Sequence, residues 1–257
     1  QLTTATGKSF SYNHLVFATG AQPLFPPFPG VDAPQVVGLR SKYDLIALCE
    51  FARKMRKAVV LGGSYIGVEV VAVLQSLDIQ VTLIEILPNI LVSTLEEEFA
   101  KEVEQYLIKN GVEIRTNARV IEILTADGQV SGVQFDDSTK LKTDFVVLAT
   151  GFAPDTELAG QSGIETSAFG IVTDEFLRTN VQNIYASGDC AETKSFTTKK
   201  PVRGEFETNA IFMSNVVGAN ILGHQKTFPG VINANMMTVF NLSCGSAGLT
   251  ERAAMEE

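Results

Sequence analysis

Apolar positions along the chain gather into short unbroken runs closed by glycine, with stretches of helical spacing between them. The clearest case is residues 57–85, KAVVLGGSYIGVEVVAVLQSLDIQVTLIE. The apolar run 58–61 predicts a buried strand. Gly62 and Gly63 break it. Over 64–77, Ile66, Val70, Val73 and Leu77 recur at helical spacing and predict a helix. Residues 80–84 predict a second strand, which ends in Glu85. Other apolar runs predict strands over 14–19, 112–115, 145–150, 171–174, 184–186 and 236–242. A hairpin remnant is expected over 1–11, and a meander of 120–124 and 130–135 through Asp127-Gly128. Helices are predicted over 42–56, with Leu45, Leu48, Cys49 and Ala52 facing inward, and over 95–109, capped by Thr94 and stopped at Asn110-Gly111. A further helix is predicted over 209–222, capped by Thr208 and ended by Gly223, and another begins at Thr250. Residues 21–34 carry Pro23, Pro26, Pro27, Pro29 and Pro34, a density that excludes helix or central strand and predicts an extended linker.

Strand, glycine turn, helix and strand in 57–85 form the pattern of a dinucleotide-binding βαβ unit. Gly62 can take the backbone conformation a tight turn needs. The helix starts at that turn, so its unpaired N–H groups and positive dipole end suit a pyrophosphate. Gly67, on the first helical turn, lets helix and strand lie close. Glu85 can accept hydrogen bonds from the adenosine ribose hydroxyls and would repel a 2′-phosphate. No Lys or Arg follows in 86–94, so NADH is expected over NADPH. The pattern departs from G-x-G-x-x-G at its centre, where Ser64 stands. Serine is small and can itself hydrogen-bond a phosphate.

Composition narrows the function classes. The chain has 257 residues, 45% hydrophobic and 19% charged, a globular balance with room for one or two domains. A net charge of −9 without a basic cluster argues against a nucleic-acid surface. Small molecules or other proteins are the expected partners. No secretory leader and no membrane-spanning apolar run is expected. Cys49, Cys190 and Cys244 are far apart, odd in number and without a CxxC pair. That argues against a metal site or a disulfide framework and fits a reducing cytoplasm. All three are expected to be structural, Cys49 in the core. The first residue, Gln1, opens a strand-like stretch, so a piece of a longer protein is expected.

Two copies of ATGxxP follow apolar strands: Ala18-Thr19-Gly20 with Pro23, and Ala149-Thr150-Gly151 with Pro154. Two similar nucleotide-binding domains, one split around the other, would produce them. In IYASGD the run 184–186 is followed by a sharp turn at Ser187-Gly188, and Asp189 then places a carboxylate at a strand's carboxyl end, where α/β folds hold ligands.

In this order, ATGxxP, GGSYIGVE, ATGxxP and YASGDCAE resemble the two-dinucleotide flavoprotein reductases (pyridine nucleotide-disulfide oxidoreductases). They are most similar to the group of coenzyme A-disulfide reductases, NADH oxidases and NADH peroxidases. The resemblance implies an α/β fold: a Rossmann-like three-layer NAD(H)-binding domain over 31–155, inserted in a partial FAD-binding domain of similar type formed by 1–30 and 156–227. Residues 228–257 would begin a C-terminal dimerisation domain, and the first flavin βαβ unit, with the redox cysteine, would lie before Gln1. It also implies that Gly62, Gly63, Ser64, Tyr65, Ile66, Gly67, Glu69, Glu85 and Gly151 serve NAD. Tyr65 would gate the flavin and Glu69 would lie near the nicotinamide. Ala18, Thr19, Gly20, Gly188 and Asp189 would serve FAD, with the helix from 209 aiming its positive end at the flavin. At Ala153 the family often carries Arg. The implied activity passes hydride from NADH through FAD to a disulfide, peroxide or oxygen, by a homodimer. The alternatives are an electron-transfer reductase for a ferredoxin or rubredoxin, or a module that only binds nucleotide.

Overall fold

The computed structural model describes residues 1–256. They form two compact units: 1–22 with 153–233, and 23–152 with 234–256.

The second unit is built on a five-stranded parallel sheet. Its order across the sheet is Val36–Gly38, Phe145–Leu148, Lys57–Leu61, Gln80–Ile84, Glu113–Arg115. The three inner strands are nearly continuous apolar runs because both faces are covered. Alternate side chains go to opposite faces. Ala58, Val60, Val81, Leu83, Phe145 and Val147 pack against helices Lys42–Lys54, Tyr65–Ser76 and Glu97–Lys109. Val59, Leu61, Ile84, Val146 and Leu148 pack against the antiparallel meander of Val120–Ala126, Gln129–Phe135 and Lys140–Leu141. The result is three layers. Asp144 Oδ2 fixes the start of the central strand by accepting from the backbone N–H of Arg56 and Lys57, both at 2.9 Å. Gln35 Oε1, buried, accepts from Val130 N at 3.0 Å and ties the meander to the edge of the sheet.

The first unit has a smaller parallel element. Leu15–Phe17 pairs with Ile184–Ala186. Phe17, Ile171, Ala186, Cys190, Met213, Val216 and Val231 are buried together, with helix Glu207–Ile221 contributing Met213 and Val216. Leu2–Thr3 and Ser9–Phe10 form the expected hairpin.

Several expectations are corrected. On the helix Lys42–Lys54, Cys49 and Leu45 are exposed, and the packed face is Ala47, Leu48, Phe51 and Ala52. The predicted face was one step out of phase, because Phe51 packs on Phe145 with ring centroids 5.6 Å apart. Ser41 caps this helix in a reciprocal box with Asp44. The helix predicted over 64–77 is present as Tyr65–Ser76; it buries Val68, Val70, Val71 and Leu74, while Val73 and the C-cap Leu77 are more than half exposed. An almost wholly apolar helix does not mark its own inner face. Thr94 does not cap the next helix, which runs Glu97–Lys109; its hydroxyl donates to Leu91 O. Nor does Thr208 cap Glu207–Ile221, whose N-cap is Phe206. Strand 171–174 shrinks to Gly170–Ile171, paired with Thr166–Ser167. The predicted strand 236–242 is two strands, Asn235–Val239 and Leu242–Ser246, turning at Phe240 with φ +52°. Met237 and Val239 join the helix-side core, so this hairpin belongs to the second unit. The proline-rich segment leads into the unpredicted edge strand Val36–Gly38.

Candidate functional site

The carboxyl end of the central strand opens into a cleft of about 600 Å³. Gly62 leaves the strand with φ +107°, and a Cβ there would lie 2.3 Å from Ala149 O. Only glycine fits that turn. Gly67 meets the turn from the helix: a Cβ on it would lie 1.9 Å from Gly62 O and 3.3 Å from Ala149 Cβ. Helix and loop therefore touch through backbone. Ser64 is the N-cap, but its hydroxyl donates to Ala149 O at 3.2 Å instead of capping the helix. The first turn holds no acidic residue. The helix's N-terminal amides and dipole end are therefore not offset by a carboxylate of their own.

Glu85 stands at the end of the neighbouring strand. Its Oε2 accepts from Gly63 N at 2.6 Å and its Oε1 from Leu87 N at 2.8 Å. The glycine loop and the carboxylate are thereby fixed to each other. Gly62, Gly63, Ser64, Glu85, Thr150 and Gly151 all line the cleft. A dinucleotide fits this donor set, with amides at the helix start for phosphates and an acceptor at the adjacent strand end for ribose hydroxyls. The structure adds wall residues that the sequence pattern did not reveal: Pro26 and Phe28 from the proline-rich segment, Asn89, and Arg119. Pro26 and Phe28 had no local signal as ligand groups, because the fold alone brings that segment to the sheet end.

Four of the residues expected at this site lie outside the cleft lining. Ile66 packs against the helix-side core, and Gly67 serves the close contact described above. Tyr65 is half-buried and its hydroxyl donates to Asn235 Oδ1, which also accepts from Ser246 N and Oγ. Burial raises the Tyr65 phenol above its ordinary value. Desolvation also raises the Glu69 carboxyl, although the residue as a whole is exposed.

In the first unit, Ser187 N donates to Phe17 O at 2.9 Å at the end of the parallel pair. The chain then turns through Gly188–Cys190. A Cβ on Gly188 would sit 3.6 Å from Ala210 Cβ, so the Asp189 turn lies beside the first turns of helix Glu207–Ile221. Gly20 O accepts from Asp155 N at 2.8 Å, and Thr19 Oγ1 donates to Asp155 O at 2.6 Å. Ala18 and Thr19 are exposed. A carboxylate at a strand end beside a helix start fits one edge of a flavin site. The three cysteines are free, with Cys190 buried and Cys244 half-buried. Among the described residues no helix is long and apolar enough to cross a membrane.

The fold is that of a Rossmann-like α/β protein. The pyridine nucleotide-disulphide oxidoreductase family matches residues 1–212, and the chain belongs to that family. It is 32% identical over 246 residues to an NADH oxidase of Methanocaldococcus jannaschii, covering 95% of this chain and 54% of that protein. It is 34% identical over 253 residues to a CoA-dependent NAD(P)H sulfur oxidoreductase of Pyrococcus furiosus, covering 97% and 57%. The solved structure of an NAD-dependent persulfide reductase from A. fulgidus matches with a TM-score of 0.94 and 36% identity, over 99% of this chain and 47% of that one. The chain thus spans about half the length of the relatives it matches.

Proposed function

We infer that the second unit binds NADH in its cleft, and that the whole protein is an FAD-dependent oxidoreductase acting on a disulfide, peroxide or oxygen. One observation carries the nucleotide assignment: the glycine loop and Glu85 are hydrogen-bonded to each other at the mouth of one cleft, with a helix start beside them. Bound in these sites, NADH would supply a hydride and FAD would provide the flavin that carries it on to the acceptor. The chain's own residues bind and orient. The loop amides hold the pyrophosphate, Glu85 accepts from the ribose, and Gly151 lines the cleft beside Gly62. Tyr65 and Glu69 take the nicotinamide end, with Tyr65 as the gate. Asp189, with Ala18, Thr19, Gly20 and Gly188, forms one side of the flavin site. The acceptors are inferred from relatives named as an oxidase, a sulfur oxidoreductase and a persulfide reductase. A homodimer in the cytoplasm completes the reading; three unpaired cysteines suit a reducing compartment.

Calorimetry of this chain with NADH and NADPH tests the nucleotide assignment. NADH binds more tightly, and Glu85→Ala narrows the difference by about 1.5–3 kcal/mol, the range for a charge-assisted hydrogen bond. Absence of NADH binding by the wild type overturns it.

A further inference from the structure

Arg119 shares the cleft with Glu85, although the two are far apart in the sequence. Backbone pairing brings them together. Ala118 N donates to Glu85 O and Asn117 N to Leu87 O, each at 3.0 Å, so the segment before the meander runs beside the end of the second strand. Arg119 is the next residue, exposed at the cleft wall. Among the described residues its guanidinium has no hydrogen-bond or ion-pair partner. Nearby Arg115 is different: it pairs with Glu113 at 2.7 Å and lies over the Phe135 ring at 5.5 Å. Arg119 is therefore the uncommitted cation on this side of the cleft.

Glu85 is fixed by its two backbone donors where a 2′-phosphate would arrive. A phosphate dianion there meets repulsion unless a cation offsets it. Guanidinium presents its donors as a planar fork that matches phosphate oxygens in pairs. We propose that Arg119 is a specificity-determining residue: it engages the 2′-phosphate of NADP(H) and offsets Glu85, so the cleft accepts both nucleotides while still preferring NADH. This rests on the dinucleotide reading of the cleft.

The test is calorimetry of the wild-type chain, Arg119→Ala and Arg119→Glu with NADH, NADPH, 5′-AMP and 2′,5′-ADP, at low and high salt. Arg119→Ala weakens NADPH and 2′,5′-ADP about tenfold or more, the effect of one lost charge-assisted hydrogen bond, and NADH and 5′-AMP less than about twofold. Arg119→Glu weakens the phosphorylated pair further. Salt reduces wild-type binding of that pair more than it reduces binding to Arg119→Ala. Equal changes in both pairs, or no change in the phosphorylated pair, overturn the role of Arg119 while NADH binding by the wild type leaves the dinucleotide reading standing. Failure of the wild type to bind any of the four overturns both.

Discussion

Each unit holds the Ala-Thr-Gly of one ATGxxP copy and uses it in the same way. In the first unit, Thr19 Oγ1 donates to Asp155 O at 2.6 Å and Asp155 N to Gly20 O at 2.8 Å. In the second, Thr150 Oγ1 donates to Leu24 O at 2.6 Å and Leu24 N to Gly151 O at 2.9 Å. In each, the partner residue directly follows the proline of the other copy. Around this shared device the scaffolds diverge. The second unit surrounds it with a five-stranded parallel sheet covered on both faces, and the first with a two-stranded parallel pair and short hairpins. A cleft forms at the sheet end where adjacent strand ends hold both a glycine loop and a carboxylate. The turn motif by itself makes a hydrogen-bonded corner; the breadth of the sheet behind it makes the cleft.

The comparison can be broken most severely at Gly67. Gly67→Val places a Cβ against Gly62 O, backbone that cannot swing aside. The second unit loses about 3 kcal/mol or more, and NADH binding goes with it. Thermal unfolding with nucleotide calorimetry reads both; a variant of wild-type stability and affinity would show that the close contact is dispensable.

In the first unit the matching perturbation is Met213→Ala. Met213 is fully buried under the parallel pair. The cost is about 2–5 kcal/mol, read by hydrogen exchange within that unit. NADH affinity stays at the wild-type value, because none of the cleft's lining residues belongs to the first unit. A matching loss of affinity would mean the two units do not separate function as the scaffolds suggest.

A smaller effect comes from Tyr65→Phe. It removes one hydrogen bond to Asn235 and leaves that oxygen its Ser246 donors. About 0.5–1.5 kcal/mol of stability is lost, and denaturant unfolding reads it. No change would show that the hairpin 235–246 is held by its apolar packing alone.

The smallest effect is the pH dependence at Glu69. Its native carboxyl is raised above the ordinary 4.5 by desolvation. Its contribution to stability is therefore fully present below 4.5 and is lost as pH rises through the raised native value. Glu69→Gln removes that loss. The variant gains on wild type between mildly acid and neutral pH, by about 0.5 kcal/mol or less because solvent screens so exposed a group. Parallel stability-against-pH curves would show that Glu69 is not desolvated.

Much of the second unit could be read from residues alone. The strands of the βαβ unit, its glycine turn and Glu85 come from runs of like residues a few positions long, and local sterics settle them wherever the chain goes. The cysteine on the first helix shows the limit. Cys49 and Leu45 are as apolar as Phe51, and spacing alone could not say which stripe meets the sheet. The Phe51–Phe145 contact decided it.

By itself, then, the sequence determined the α/β class, the position of the glycine loop, and the acidic group that follows it. These depend on periodicity and on backbone freedom at single glycines, which are short-range properties. Tertiary structure decided the rest: that Ser64 bonds Ala149 O, that Tyr65 is tied to Asn235, that 235–246 is a hairpin on the helix-side core, and that Arg119 reaches the cleft of Glu85. Each of these joins residues far apart in the chain. Such pairings follow from which strands become neighbours in a sheet, and no local pattern of side chains encodes that order.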